Sequence, residues 1–224
     1  MSTRRKALRL PEPTGDRIGT AGTGKPFRLL VLGDSAAAGV GVSHQSQALS
    51  GQLAKSLSTD FCVEWQLIAQ SGRTTLDTLH LLCDEPQQNK FDVVLISLGV
   101  NDVTSLVRRK TWIQHCRSLS REIQKVYSPK SIVWSDLPEM GKFTAMPQPL
   151  RWLIGKRKDH MRQSLAHWIA QEPAVSLLEF PDVFSQSEEN IQDWIASDGF
   201  HPGEKVYALW GKLAADKIRD LAVV

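Results

Sequence analysis

The sequence predicts an α/β fold in which a parallel sheet is covered by helices on both faces, giving three layers. The chain has 224 residues, and 42% of them are hydrophobic, which is enough to form one domain with a core on each side of a sheet. Short apolar runs alternate with amphipathic stretches along the chain. Strands that alternate with helices are joined by crossover connections, so they pair in parallel and the helices cover both faces.

Five strands and five helices account for this alternation. The strands are predicted where apolar residues form short continuous runs, at residues 28–32, 63–69, 93–98, 131–135 and 175–178. The helices are predicted where apolar residues recur every three or four positions, near residues 47–57, 74–83, 111–127, 150–170 and 204–221. The first 26 residues are rich in proline and glycine, so we expect a flexible tail at residues 1–26 and a single folded domain at residues 27–224.

Composition argues against several classes of function. The 27 lysine and arginine residues nearly balance the 24 aspartate and glutamate residues, and the net charge of +3 is too small to indicate a nucleic-acid partner. The three cysteines form no C-x-x-C pair, so neither a disulfide framework nor a zinc site is indicated. We expect no metal and no cofactor.

The N-terminus predicts a cytoplasmic location. Its basic start, Arg4-Arg5-Lys6, is typical of a signal peptide, but the apolar stretch that follows ends at Pro11 before it reaches the length of a signal sequence. No other stretch approaches the ~20 apolar residues of a transmembrane helix. We therefore expect no transmembrane segment, and a monomer is the default expectation.

Four short polar blocks stand out against this pattern. Ser35, Gly72 and Asn101 each follow a predicted strand by two to four residues, and His201 precedes the last predicted helix. In an open parallel sheet, ligands bind at the carboxyl ends of the strands, so we expect these residues to meet at one edge. The blocks are Gly33-Asp34-Ser35, Ser71-Gly72, Gly99-Val100-Asn101-Asp102 and Asp198-Gly199-Phe200-His201.

The blocks contain the groups that acyl transfer requires. Ser35 is a candidate nucleophile, and His201 is a candidate base whose imidazole Asp198 can orient, because two intervening residues let the carboxylate reach the ring in a turn. The N–H groups of Ser35 and Gly72 and the side-chain amide of Asn101 are candidate donors to an oxyanion. Each block alone is more typical of a turn or a helix cap. Only their combination favours catalysis.

The four blocks resemble the motifs of the SGNH hydrolase family, the GDSL-type esterases and lipases. The family's serine, glycine, asparagine and histidine fall on Ser35, Gly72, Asn101 and His201, and its aspartate falls on Asp198. The resemblance implies a flavodoxin-like α/β/α sandwich with a mostly five-stranded parallel sheet. It also implies a serine esterase that acts through an acyl-enzyme on a small-molecule ester. The substrate is a short acyl ester, a lysophospholipid, a thioester or an acetylated sugar, and the sequence does not choose among them.

A proline-rich apolar loop at residues 138–155 follows the fourth predicted strand. Met140, Phe143 and Met146 are candidates for the wall of a substrate pocket, because an apolar loop at the carboxyl end of a strand can contact an acyl chain. Packing of these side chains into the core is the alternative interpretation. The basic triplet Lys156-Arg157-Lys158 beyond the loop is typical of a solvated helix face.

Other functions are left open by the residues. A carbohydrate O-deacetylase would use the same catalytic groups, and a non-catalytic binding module would keep the fold without turnover. The run from Gly19 to Lys25 matches part of a phosphate-binding loop, but Pro26 stands in the place of the required serine or threonine. Nucleotide binding is therefore the weakest of these alternatives.

Overall fold

The computed structural model describes residues 10–84, 89–143, 145–180 and 194–222. The described strands form one central sheet. The sheet has six strands in the order β1-β3-β2-β4-β5-β6. All pairs are parallel except β1 with β3, which is antiparallel. The strands are β1 (Ile18–Ala21), β2 (Lys25–Gly33), β3 (Phe61–Ala69), β4 (Val93–Ser97), β5 (Ser131–Ser135) and β6 (Val175–Leu178).

The five predicted strands are the five parallel strands of this sheet, and the sixth strand is a correction. Strand β1 lies within the segment that the sequence predicts to be a flexible tail, and Ile18 pairs there with Gln66 of β3. The chain then crosses the start of β3 to enter β2. A Cβ on Gly22 would lie 2.2 Å from the carbonyl oxygen of Phe61, so this crossing requires glycine. Gly22, one of the glycines on which the prediction of a flexible tail was based, therefore allows the tight connection between β1 and β2.

Helices cover both faces of the sheet among the described residues. Five long helices lie where the sequence predicts them, and two short ones follow directly after strands β2 and β4. The helices are α1 (Ser35–Ala38), α2 (Leu49–Leu57), α3 (Thr75–Asp84), α4 (Val100–Thr104), α5 (Arg109–Tyr127), α6 (Leu150–Ile169) and α7 (Glu204–Ala222). No helix in the described ranges is both long enough and apolar enough to cross a bilayer.

Two hydrophobic clusters separate the three layers. Leu30 and Leu32 of β2 face the cluster that contains the apolar sides of α3, α5 and α6. Their neighbours Leu29 and Val31 face the opposite cluster, which contains the apolar sides of α2 and α7. Because successive side chains of a strand point to opposite faces, a strand buried on both sides appears in the sequence as a continuous apolar run. The predicted three-layer α/β/α fold is confirmed.

Candidate active site

Three of the polar blocks lie in the connections that follow three neighbouring strands, at the carboxyl edge of the sheet. Gly33, the last residue of β2, pairs with Ala69 at the end of β3 and with Ser97 at the end of β4. Strands β2, β3 and β4 are neighbours at the centre of the sheet. The connections that carry Gly72 and Asn101 therefore each start one strand spacing from the end of β2, which leads to Ser35.

Ser35 lies at the first position of α1, directly after a tight turn. The backbone N–H of Asp34 donates to the carbonyl of Ser97 at 3.1 Å, and the Asp34 side chain accepts from the N–H of Ala36 at 3.0 Å, which caps the helix. A Cβ on Gly33 would lie 2.4 Å from the Cβ of Ala37 and 2.5 Å from the Ser97 carbonyl oxygen. Only glycine fits this approach, which fixes the position of the hydroxyl.

Ser35, His201 and Asp198 form one chain of hydrogen bonds. The Ser35 Oγ lies 2.9 Å from His201 Nε2, and His201 Nδ1 lies 2.5 Å from Asp198 Oδ2. The other carboxylate oxygen of Asp198 accepts the N–H groups of Phe200 and His201 at 3.0 Å each. This geometry lets the imidazole accept the hydroxyl proton while the carboxylate fixes the ring.

The environment of Asp198 favours its charged form. Burial acts to raise the pKa of this carboxyl group, but the hydrogen bonds from the His201 side chain and from two backbone N–H groups outweigh it, and the pKa is lowered from its ordinary value. Asp198 is therefore a carboxylate at neutral pH. A carboxylate in this position stabilises the imidazolium that forms when His201 takes a proton.

Asn101 lies between the loops that follow β2 and β3. Its Nδ2 donates to the Arg73 carbonyl at 2.9 Å and to Asp34 Oδ2 at 3.3 Å. Gly72 immediately precedes Arg73, is exposed and has a φ of +87°, and open space surrounds the position of its missing side chain. The structure thus brings Asn101 and the turn that contains Gly72 to the same edge as Ser35.

Asp34 is a buried acid beside the candidate nucleophile, and the sequence analysis gave it no role of its own. Its side chain is removed from solvent, and this desolvation, with a smaller contribution from the nearby carboxylate of Asp102, raises its pKa to about 7. Hydrogen bonds from the N–H of Ala36 and from Asn101 retain it at this position. The only sequence signal for a role of Asp34 was its position directly before Ser35 in the first block.

A cavity of about 390 Å³ opens beside Ser35 and His201. One wall is apolar and aromatic and includes Leu137, Phe180, Trp194, Phe200 and Trp210. Another wall is charged, and its residues are Asp136, Glu139, Lys158, Asp159 and Arg162. The volume is at the lower end of the range for small-molecule sites.

The charged wall consists of ion pairs on α6 and the loop after β5. Lys158 Nζ lies 2.6 Å from Glu139 and 2.9 Å from Asp159, and only 2% of the Lys158 side chain is exposed. Arg162 Nε lies 2.5 Å from Asp136 Oδ2. Lys158 belongs to the triplet that the sequence assigns to a solvated face, so this wall is one that sequence reasoning missed.

The structure places the predicted pocket residues of the loop elsewhere. Met140 and Phe143 are buried in the hydrophobic cluster beneath the sheet, and Met146 packs against the same cluster. None of the three lines the cavity, whereas Pro138 and Glu139 from the start of the loop do. The prediction of an acyl wall here is corrected to core packing, because a 3-10 turn at Met140–Lys142 folds the loop back onto α6.

No group of three or more histidine, cysteine, aspartate or glutamate residues within the described parts of the chain is arranged to hold a metal ion.

A serine hydroxyl, an imidazole and a carboxylate in one hydrogen-bonded chain are an arrangement found in serine hydrolases on several unrelated folds. The chain belongs to the GDSL-like lipase/acylhydrolase family, whose model matches residues 31–209. The protein is therefore an ester hydrolase. A search of curated proteins gives no match.

Solved structures of esterases and lipases share this fold. A psychrotrophic esterase EstA from Pseudoalteromonas sp. is 19% identical, with a TM-score of 0.65 over 88% of this chain and 99% of that chain. The lipase Lip_vut3 from a goat rumen metagenome is 18% identical, with a TM-score of 0.66 over 87% and 97%. A carbohydrate esterase family 2 enzyme from Corynascus thermopiles is 14% identical, with a TM-score of 0.65 over 91% and 69%.

Proposed function

We propose that this protein hydrolyses carboxylic esters through an acyl-enzyme. Ser35 attacks the carbonyl carbon, and His201 takes the hydroxyl proton and returns it to the leaving alcohol. His201 then activates the water that releases the acid, while Asp198 orients the imidazole and stabilises its charged form. The observation that carries the proposal is the hydrogen-bonded chain from Ser35 to His201 at 2.9 Å and on to Asp198 at 2.5 Å.

The oxyanion of the tetrahedral intermediate binds to three donors in this proposal. They are the N–H of Ser35 at the start of α1, the N–H of Gly72 and the side-chain amide of Asn101. In the structure the Asn101 amide donates to the Arg73 carbonyl and to Asp34. Catalytic hydrogen bonds commonly tighten only in the substrate complex, so in this proposal the amide exchanges one of these partners for the oxyanion.

The size of the cavity favours a short acyl ester over a long-chain lipid. About 390 Å³ accommodates a small ester, and its apolar wall suits an acyl group or a compact alcohol. A lysophospholipid or an acyl thioester is the alternative substrate. Activity as a function of acyl chain length distinguishes long acyl chains from short ones, and activity on an acyl thioester tests the leaving group.

A carbohydrate O-deacetylase is the second candidate, and the aromatic wall favours it. Phe180, Trp194 and Trp210 line the cavity beside charged side chains that form hydrogen bonds, and aromatic faces with polar neighbours suit sugars. A carbohydrate esterase with the same fold is known from Corynascus thermopiles. Hydrolysis of acetylated xylose without hydrolysis of aliphatic p-nitrophenyl esters would identify this activity.

The test uses the purified protein and a series of p-nitrophenyl esters of increasing chain length. We expect turnover of the short esters, labelling of the wild type by a fluorophosphonate probe, and loss of both in Ser35→Ala. A Ser105→Ala variant, in the connection after α4, is the matched control and retains both. Absence of turnover on the p-nitrophenyl and sugar esters together with absence of labelling would identify a binding module and refute the proposal.

A further inference from the structure

The segment before the family match contacts the edge of the site. Residues 12–17, which we call the strap, precede residue 31, where the family model begins. The strap continues into β1, and β1 pairs with β3 along Ile18–Ala21. Its backbone also pairs with the loop after α1, because Thr14 N–H donates to Ser43 at 3.2 Å and Gln45 N–H donates to Thr14 at 2.8 Å.

Glu12 of the strap binds the residue next to Gly72. Its Oε1 accepts the backbone N–H of Ser71 at 2.7 Å and the Ser71 hydroxyl at 2.7 Å. Its Oε2 accepts from the guanidinium of Arg17. Arg17 also donates to the Ala69 carbonyl at 2.6 Å, so the strap is fixed to the last residue of β3 and to the turn that follows.

The turn at residues 70–73 determines where the Gly72 N–H points. Arg73 N–H donates to the Gln70 carbonyl at 3.3 Å, and Gly72, at the third position of this turn, has a φ of +87°. A positive φ at this position is typical of a type II turn. Type I and type II turns differ by a flip of their central peptide, which here joins Ser71 to Gly72, so the flip reverses the direction of the Gly72 N–H.

We infer that Glu12 is a positioning residue that holds the Ser71–Gly72 peptide in the orientation required by the oxyanion hole. Both hydrogen bonds go to Ser71, whose N–H belongs to the preceding peptide, so they fix the backbone and the side chain of the residue from which the Ser71–Gly72 peptide extends. The inference rests on the proposed function, since it assigns Gly72 as an oxyanion donor. A donor that acts on the oxyanion stabilises the transition state more than the bound substrate, so its misplacement lowers kcat and leaves KM nearly unchanged.

The test compares Glu12→Ala with a matched variant, Asp77→Ala. Asp77 makes the same two kinds of hydrogen bond, to the N–H of Thr74 at 2.9 Å and to the Thr74 hydroxyl at 2.7 Å, but two residues beyond Gly72. We expect Glu12→Ala to lower kcat on a short p-nitrophenyl ester about 10- to 100-fold. This loss does not exceed the reduction in kcat that follows removal of one oxyanion donor, because the Gly72 N–H is misplaced but not removed. We expect KM to change less than about threefold, and Asp77→Ala to keep kcat within about twofold of the wild type.

Glu12→Gln keeps an oxygen acceptor for Ser71, so we expect it to restore most of the lost kcat. Amide exchange measured by NMR is the second readout, and the Ser71 N–H is expected to exchange faster in Glu12→Ala than in the wild type. An active wild type with unchanged kcat in Glu12→Ala, an equal loss in Asp77→Ala, or unchanged exchange of Ser71 would overturn this inference alone. A wild type that neither turns over esters nor is labelled at Ser35 would overturn the proposed function, and this inference with it.

Discussion

Asp198 uses both of its carboxylate oxygens to hold the candidate base. One oxygen contacts the His201 ring at 2.5 Å, and the other accepts two backbone N–H groups of the same turn. The turn therefore positions the carboxylate, and the carboxylate positions the ring. An amide in its place would keep the size of the side chain and lose the charge that stabilises an imidazolium.

We expect Asp198→Asn to lower kcat on a p-nitrophenyl ester about 10²- to 10⁴-fold with a small change in KM, because the ring loses its preferred tautomer and the compensating charge. Steady-state kinetics provides the measurement. The control is Asp216→Asn on the exposed side of α7, where the carboxylate pairs with Arg219 at 2.8 Å, and it should retain wild-type kcat. Equal activity of Asp198→Asn and the wild type would exclude the assigned role.

Asp34 makes stability depend on pH near neutrality. Burial raises its pKa from 3.8 to about 7, so the folded state holds a proton that the unfolded chain releases at a lower pH. The contribution of the neutral group to stability is fully present below pH 3.8 and is lost as pH rises through about 7. The charged form is the one that destabilises the fold.

Asp34→Asn removes this titration while its side-chain oxygen can still cap α1. The melting temperature of the variant minus that of the wild type should become more positive between pH 5 and pH 8, whatever its value at pH 5, because only the wild type acquires a buried charge. Differential scanning fluorimetry across this range measures the difference. A constant difference would show that Asp34 does not titrate in the folded protein.

At the scale of elements, the sequence predicted those strands and helices whose burial leaves a clear pattern of apolar residues. Strands β4 and β5 and the second half of β2 are buried on both faces, so they appear as continuous apolar runs, and the long helices show an apolar period. Strand β3 is only partly buried, and Glu64 and Gln66 interrupt its apolar run. Strand β1 and helices α1 and α4 have four or five residues each, which is too short for any period to show. Their positions depend on contacts with distant segments, such as Arg17 with Ala69.

The strength of the sequence signal also separates the site residues that the structure brings together from those that sequence reasoning missed. The blocks around Ser35 and His201 combine unusual polar residues with defined spacing, and the structure brings them to hydrogen-bond distance. Met140 and Phe143 carried only the signal of being apolar, which core and pocket residues share. Lys158 is buried by its pairs with Glu139 and Asp159, and no local pattern distinguishes such a lysine from a solvated one.

The turn from β2 into α1 requires glycine at position 33. We expect Gly33→Ala to lower the melting temperature by several degrees and to reduce kcat, because a Cβ at 2.4 Å from Ala37 and 2.5 Å from the Ser97 carbonyl forces the backbone that carries Ser35 to move. Thermal unfolding and ester turnover measure the two effects. Gly141→Ala is the control, since its nearest contact would lie at 3.7 Å, and a similar loss in both variants would contradict the argument.

At the scale of the whole molecule, the site joins segments that are far apart in sequence. Tyr207 on α7 donates its hydroxyl to the Val40 carbonyl at 2.7 Å, and both residues are buried. Val40 follows Ser35 by five residues, and Tyr207 follows His201 by six. This bond ties the segment that carries the nucleophile to the one that carries the base.

We expect Tyr207→Phe to lower the free energy of unfolding by about 1–3 kcal/mol, because the Val40 carbonyl loses its buried donor. We also expect slower labelling of Ser35 by a fluorophosphonate, since the two segments lose a connection. Chemical denaturation and labelling kinetics measure these effects. Tyr127→Phe, at a buried hydroxyl with no hydrogen-bond partner among the described residues, is the matched control and should change neither property.

The outermost strands of the sheet are also its shortest. Strands β1 and β6 have four residues each, whereas the strands between them have five to nine. The unpaired N–H and C=O groups along an outer strand can recruit a strand of another molecule, and a short outer strand limits how many such bonds form. Strand β1 covers only Val63–Gln66 of the nine-residue β3, and removing β1 would leave the whole outer edge of β3 open to such pairing.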